Sequence, residues 1–380
     1  MASVIVRVTS TSARSPLARL VAIPLGLDLW ELHPDHAVLQ ADEAQASRLE
    51  AMGYAVEQLR LSESYLTDFA TESAVTGYHS AQTLEEDLRQ LADDNPEIAE
   101  LHEIGHSVEG RPILALRLGE RRGSSRKVAF LGCHHAREWI SVEVPFLLAE
   151  DLVANASADP VREWLQRGEI WVAPMVNPDG HEFTRTPGNR LWRKNRRRNR
   201  DGTVGVDLNR NYGYMWGTLD IDTSSHTPAD ETYVGPRAFS EPESRAVRDL
   251  VARQAFGGVL TYHSYSQLIL YPWGYTDEPI VDETDHREMR DLAGDMQRLI
   301  AGVHGETYTA QQSSRLYPTA GDTTDWTYGE YDVPSFTVEL RPASALEGGF
   351  ILPAGQIQPC WEENRPAAHA FIGHVLEKPA

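Results

Sequence analysis

Cys133-His134-His135-Ala136-Arg137-Glu138 gathers two imidazoles, a thiol and a carboxylate within six residues. Zn²⁺ accepts nitrogen, sulfur and oxygen donors, so the cluster is a candidate metal site. Spacing leaves two registers open: His135 with Glu138 three residues on, or His134 with Glu138 four on. A polar strand end with satisfied hydrogen bonds would have the same composition. A catalytic zinc needs a third protein ligand and leaves one position to water. His263, which follows a predicted strand at Gly258–Tyr262, is one candidate, but only a fold could bring it to Glu138.

Two further features carry chemistry. Glu339 sits in the apolar stretch Phe336-Thr337-Val338-Glu339-Leu340. A buried carboxylate is unfavourable unless paired or functional, so it is either an ion-pair partner of an arginine such as Arg341 or a general base tuned by burial. The segment from Arg190 to Arg200 holds seven basic residues in eleven. Nucleic-acid binding, a solvated basic face, and arginines that polarise a carbonyl or hold an anionic substrate are all compatible with it.

These residues need elements to position them. Short β-branched or apolar strands are predicted at Lys127–Cys133, Glu169–Ala173, Gly258–Tyr262 and Ser335–Leu340. Helical patterns lie between or beside them at Ser80–Asp93, Ser141–Asn155, Pro242–Gln254, Asp285–Val303 and Gln356–Leu376, the last with a kink or break expected at Pro366. Alternation of this kind predicts an α/β fold with a mixed, largely parallel twisted sheet flanked by helices. Ligands bind beyond the strand ends of such sheets. The first seventy residues read as a separate small α+β unit: a strand at Val4–Val8, a helix at Ser15–Ala22, a hairpin from Leu29 to Leu39 around Pro34-Asp35, a helix at Glu43–Met52 and a strand at Ala55–Leu59. Asp68–Gly77 reads as an exposed connector.

Composition excludes several classes. With 41% hydrophobic residues in 380, the chain has a full core and is neither disordered nor a disulfide scaffold. Its net charge of −21 opposes nucleic acid and anionic membranes. No apolar run approaches the roughly 20 residues that cross a bilayer. No leader is readable: the apolar stretch Leu20–Leu27 is interrupted by Pro24 and followed by Asp28.

Gly132-Cys-His-His-Ala-Arg-Glu-Trp139, Asn189-Arg-Leu-Trp-Arg-Lys194, Val206-Asp-Leu-Asn-Arg-Asn211, His263-Ser-Tyr-Ser266 with Leu270-Tyr-Pro-Trp-Gly-Tyr275, and Phe336-Thr-Val-Glu-Leu-Arg341 together resemble the zinc metallocarboxypeptidases related to carboxypeptidases A and B, most closely the bacterial carboxypeptidase T type. The blocks occur in the family's order, and the resemblance runs from about Tyr78 to the C-terminal helix. It implies one catalytic Zn²⁺ held by His135, Glu138 and His263, with Glu339 as general base and Arg193 polarising the scissile carbonyl. It also implies that Asn209 and Arg210 grip the substrate's terminal carboxylate, that Tyr317 caps the substrate, and that Arg137 and Tyr265 line neighbouring subsites. Cys133 is then a small buried residue. The stretch after Tyr317 would line the specificity pocket, where Asp322 and Thr324 suggest release of apolar, aromatic and basic residues.

The resemblance further implies a secreted, monomeric zymogen acting on peptide and protein C-termini, with no nucleic-acid or membrane partner. Residues 1–70 would be a propeptide-like domain, 71–77 the connector and 78–380 the catalytic domain. The competing readings are a zinc amidohydrolase of the same family acting on cell-wall or γ-glutamyl peptides, and a peptide-binding module without catalysis. Glu339 argues against the second of these.

Overall fold

The computed structural model describes residues 4–11, 15–61, 76–120 and 126–377. The first two of these stretches build a four-stranded antiparallel sheet from β1 (Val4–Ser10), β2 (Asp28–Leu32), β3 (Ala37–Ala41) and β4 (Tyr54–Leu61), in the order β2-β3-β1-β4. The expected hairpin is β2–β3, closed by a hydrogen bond from His33 N to His36 O. Helix α1 (Glu43–Ala51) starts at a capping box in which Asp42 and Gln45 satisfy each other's backbone N–H. The helix expected at Ser15–Ala22 is a short 3₁₀ turn, Leu17–Ala22. Strand alternation gives the sheet two apolar faces. Val6, Val8 and Leu39 pack with Leu20 and Leu49. Ile5, Trp30 and Val38 face the other way, onto Tyr265, Ala345 and Phe350 of the larger unit. The connector expected at Asp68–Gly77 lies, up to residue 75, outside the described residues.

The larger unit is an eight-stranded mixed sheet. Its strands are β5 (Ala99–His106), β6 (Pro112–Leu118), β7 (Arg126–Gly132), β8 (Gly168–Ala173), β9 (Val259–Ser264), β10 (Leu268–Tyr271), β11 (Thr309–Gln312) and β12 (Ser335–Leu340). The order is β11-β10-β12-β9-β7-β8-β6-β5. The central run β12-β9-β7-β8 is parallel, and antiparallel pairs enter at β10–β12, β6–β8 and β5–β6. The expected mixed, largely parallel sheet is therefore present.

Helices cover both faces, which lets central strands be apolar on both sides. Phe130 of β7 points into a core shared with α2 (Ala81–Asp94), α3 (Ile140–Ala154), α4 (Val161–Arg167), α7 (Glu283–His304) and α9 (Ile357–Glu377). Its neighbours Ala129 and Leu131 point the other way, toward α6 (Pro242–Gln254) and α8 (Thr323–Tyr331). A further short helix, α5 (Pro178–Thr184), is capped by Asn177. No break occurs at Pro366, and α9 is continuous through it. Its inner face buries Trp361, Ala367, Ala368, Phe371 and Ile372, enough apolar surface to outweigh the ~3 kcal/mol that an interior proline costs. Strands β5, β6, β10 and β11 and helices α4, α5 and α8 are not in the sequence expectation. Helix α8, Thr-Thr-Asp-Trp-Thr-Tyr-Gly-Glu-Tyr, has one strong helix former, Glu330, and forms because Asp322 caps it and its first six residues are buried.

Gly132, the last residue of β7, has no room for a side chain: a Cβ there would lie 2.1 Å from Ser141 O and 2.7 Å from Pro174 O. The clash is with backbone, which cannot swing aside. Gly132→Ala is therefore expected to lower stability in urea unfolding by at least about 2 kcal/mol. A variant as stable as the parent would show that the strand end is free to shift.

Candidate active site

The C-terminal ends of β7, β9 and β12 lie side by side, and each delivers one part of the site. Register sets His263 of β9 beside Glu339 of β12 and Tyr262 beside Gly132 of β7. The chain leaves β7 at Cys133 with φ 53°, and this left-handed step turns the next residues across the sheet edge. His135 Nδ1 lies 2.7 Å from Glu138 Oε1, and His263 Nδ1 lies 3.1 Å from His135 Nδ1 and 3.0 Å from Glu138 Oε2. All three side chains are buried.

Two imidazole nitrogens converge on a carboxylate, an arrangement of donor atoms that a single cation can bridge. Zinc–ligand bonds of about 2.0–2.1 Å in a tetrahedron put ligand atoms about 3.3 Å apart, close to the spacing found here. The donor set therefore fits a zinc ion. The open register resolves to His135. His134 turns away into hydrogen bonds with Tyr212 Oη at 2.9 Å, Thr323 Oγ1 at 3.2 Å and Thr261 Oγ1 at 3.3 Å. Burial, reinforced by His263 and His135, pushes its pKa well down and keeps it neutral. Cys133 is buried and free, and burial raises its thiol pKa.

Asp207 is the residue that sequence reasoning missed. It lies within the quoted block Val206–Asn211, and an aspartate beside a candidate carboxylate grip was the available signal. Its Oδ1 is 3.2 Å from His135 Nε2, while Oδ2 accepts from Arg193 Nε at 2.9 Å and Nη2 at 2.8 Å. Burial opposes the Asp207 charge, but Arg193, then His135, outweigh it and hold the pKa well below the carboxylate range. Asp207 thus fixes the ring of His135 with Nδ1 toward the other ligands and aims Arg193 at the same place.

One small cavity is lined by His135, Asn209, Arg210, Tyr317, Asp322 and Glu339, together with Leu270, Thr319 and Thr337. Asn209 Oδ1 accepts from Thr323 N and Oγ1. The Arg210 guanidinium is held by the carbonyls of Thr223 and Asn209, which leaves N–H groups for a carboxylate. Burial, then the charge of Glu138, raise the pKa of Glu339 well above the ordinary range, against Arg193 and Arg210. A divalent cation among the three ligands would pull it back toward ionisation. Asp322 caps α8, with Oδ1 accepting from Asp325 N at 2.8 Å and Oδ2 from Thr319 Oγ1 at 2.9 Å. Thr324 is not on the cavity wall; it bonds Thr337 Oγ1 at 2.7 Å from behind, and Thr337 is the residue that lines the cavity.

Arg137 and Tyr265 meet the N-terminal sheet. Arg137 grips Asp28 of β2 through two hydrogen bonds of 2.6 and 2.9 Å and stacks on Phe350. Tyr265 Oη donates to Glu31 at 3.0 Å. A second cavity, lined by Trp30, Arg137, Glu138, Arg193, Tyr265 and Glu339, therefore lies directly under β2. With the sheet docked, the two cavities have only about 30 and 20 Å³ of space for water. Five of the seven basic residues in the run are engaged within the fold: Arg190 donates to Arg137 O, Arg193 to Asp207, Lys194 to Asp230 O and Arg197 to Glu241, while Arg196 stacks on Phe183.

Comparison with known proteins agrees with this geometry. The family model described as zinc carboxypeptidase matches residues 84–367. Carboxypeptidase B of Astacus astacus is 37% identical over 296 residues, covering 76% of this chain and 93% of that one. Carboxypeptidase B of Bos taurus is 36% identical over 306 residues, covering 79% and 71%. The crystal structure of carboxypeptidase A from Helicoverpa armigera superposes with a TM-score of 0.85 at 25% identity, over 99% of this chain and 98% of that one. The chain belongs to the zinc carboxypeptidase family: it is a zinc metallopeptidase whose substrates are peptide C-termini.

If Asp207 orients His135, Asp207→Asn is expected to weaken zinc binding about 10–100-fold, the usual effect of losing such a partner. His134→Ala is expected to leave it nearly unchanged. Competition with a chromophoric chelator measures both. Equal affinities in parent and Asp207→Asn would remove Asp207 from the site.

Proposed function

We propose that the chain removes single C-terminal residues with His135, Glu138 and His263 as zinc ligands and Glu339 as general base. The observation that carries this reading is the shared cavity, where Glu339, Arg210, Asn209 and Tyr317 surround His135. Zinc, when bound, supplies Lewis-acid polarisation of the scissile carbonyl and lowers the pKa of water toward about 7. Glu339 takes the proton from the attacking water on its carboxylate and delivers it to the leaving amide nitrogen. Arg193 faces the charge that develops on the carbonyl oxygen; Asp207 holds its Nε and Nη2, so Nη1 is the atom that reaches it.

Arg210 and Asn209 receive the terminal carboxylate, which makes the enzyme an exopeptidase. A substrate without a free C-terminus would leave the guanidinium buried and unpaired. Tyr317 closes over the bound residue. Leu270, Thr319, Thr337 and Asp322 shape the pocket for its side chain. An aspartate among small and apolar groups suits Lys and Arg as well as Leu, Phe and Tyr, and disfavours acidic residues. The N-terminal unit acts as an inhibitory cover: Asp28 occupies Arg137, and Glu31 occupies Tyr265. The reading includes a secreted monomer in which cleavage between the two units frees the site.

Glu339→Gln is expected to keep the zinc at His135, Glu138 and His263 and near-parental substrate affinity while turnover falls about 10²–10⁴-fold. Release of C-terminal residues from a peptide panel, followed by mass spectrometry, gives both turnover and side-chain preference. Turnover near the parental rate in a zinc-loaded sample would assign the base elsewhere. For the cover, Asp28→Ala leaves Arg137 as an unpaired buried charge at the seam, which loosens docking. The full chain carrying it should hydrolyse the panel at least about tenfold faster than the parent before any proteolysis. Equal rates would mean that the N-terminal unit does not close the site.

A further inference from the structure

Among the described residues, two groups of three side chains have ligand atoms close enough to share a metal ion. The reaction uses one; the other is Glu31, His33 and His36, whose ligand atoms all lie within 4.8 Å of one another. The β2–β3 hairpin assembles it. Glu31 and His33 are two residues apart in extended chain and so share a side. The two-residue turn Pro34-Asp35, closed by the His33 N to His36 O bond of 2.8 Å, folds His36 back onto His33. The two rings stack with centroids 4.6 Å apart.

The second observation concerns the hydrogen bonds around these groups. His36 Nδ1 lies 2.9 Å from Asp35 Oδ1. A carboxylate on one ring nitrogen leaves the other as the basic one, the arrangement that orients metal-binding histidines. Glu31 divides its two oxygens. Oε1 accepts from Tyr265 Oη at 3.0 Å and Ala345 N at 2.5 Å, both in the larger unit. Oε2 faces His33 Nε2 at 3.5 Å. An ion on the Oε2 side would therefore leave the contacts to the larger unit intact. A tetrahedral zinc asks for ligand atoms about 3.3 Å apart. The remaining distance can close by side-chain rotation, because His33 and His36 are 44% and 25% exposed while Glu31 is fixed.

We propose that Glu31, His33 and His36 bind a second divalent ion of the zinc class at the seam between the N-terminal sheet and the larger unit. Two imidazoles and one carboxylate select Zn²⁺, Co²⁺, Ni²⁺ or Cu²⁺ over Ca²⁺ and Mg²⁺. An ion here would tie the hairpin tip to the carboxylate that Tyr265 and Ala345 hold, and so fasten the sheet in its docked position. That consequence rests on the reading of the N-terminal unit as a cover; the metal site itself does not.

Equilibrium dialysis of the intact full chain against Zn²⁺, with metal analysis, should find two equivalents in the parent and one in His33→Ala/His36→Ala. In the parent itself, Zn²⁺ beyond the first equivalent should protect His33 and His36 from diethyl pyrocarbonate, read by mass spectrometry. A single equivalent in the parent, unchanged modification of both histidines, or two equivalents in the double variant would each overturn the site. For the fastening, the second equivalent should slow release of the N-terminal unit by a metal-insensitive protease at least fivefold in the parent and leave the double variant unaffected. An unchanged release rate with the second ion bound overturns the fastening and leaves the site standing.

Discussion

The structure depends on packing two imidazoles and a carboxylate within about 3 Å of each other where water is excluded. Such a set survives burial only if every outward-facing polar atom is satisfied and the inward-facing lone pairs have a cation to meet. Asp207 Oδ1 meets His135 Nε2, and Ser264 N donates to Glu138 at 3.2 Å. Asp207 would itself be an unfavourable buried charge, and Arg193 neutralises it. The orientation of His135 and the position of Arg193 are therefore set by one carboxylate.

The parallel sheet makes that packing possible. Three strands with ends in register present His263, Glu339 and the turn after Gly132 along one edge, and the helices on both faces prevent those ends from moving apart. The tight approach of Gly132 to Ser141 O fixes where β7 stops. The edge is also where the N-terminal sheet docks. Its strand β2 brings Asp28 and Glu31 to Arg137 and Tyr265, so the same cationic and hydroxyl groups that would meet a peptide are met by carboxylates of the chain itself.

Local chemistry was legible wherever it was written in contiguous residues. The Cys133–Glu138 cluster, the apolar stretch around Glu339, the four central strands, the longer helices and the Pro34-Asp35 hairpin all carry their signal within a short window, because propensity and periodicity act over a few residues. The resemblance of five ordered blocks added the ligand register, which spacing had left open between His134 and His135.

The tertiary structure decided what depends on distant partners. Asp207 looks like any polar loop residue until His135 and Arg193 are brought to its two oxygens. Thr324, expected on the pocket wall, instead bonds Thr337, and it is Thr337 of β12 that lines the cavity. Helix α9 continues through Pro366 because its inner face is buried, and α8 forms despite weak propensity for the same reason. The sequence by itself determined which groups could bind zinc and move a proton, since that follows from side-chain chemistry. Which nitrogen faces which oxygen, and which unit lies over the site, were decided only by long-range packing, because those relations join residues far apart in the chain.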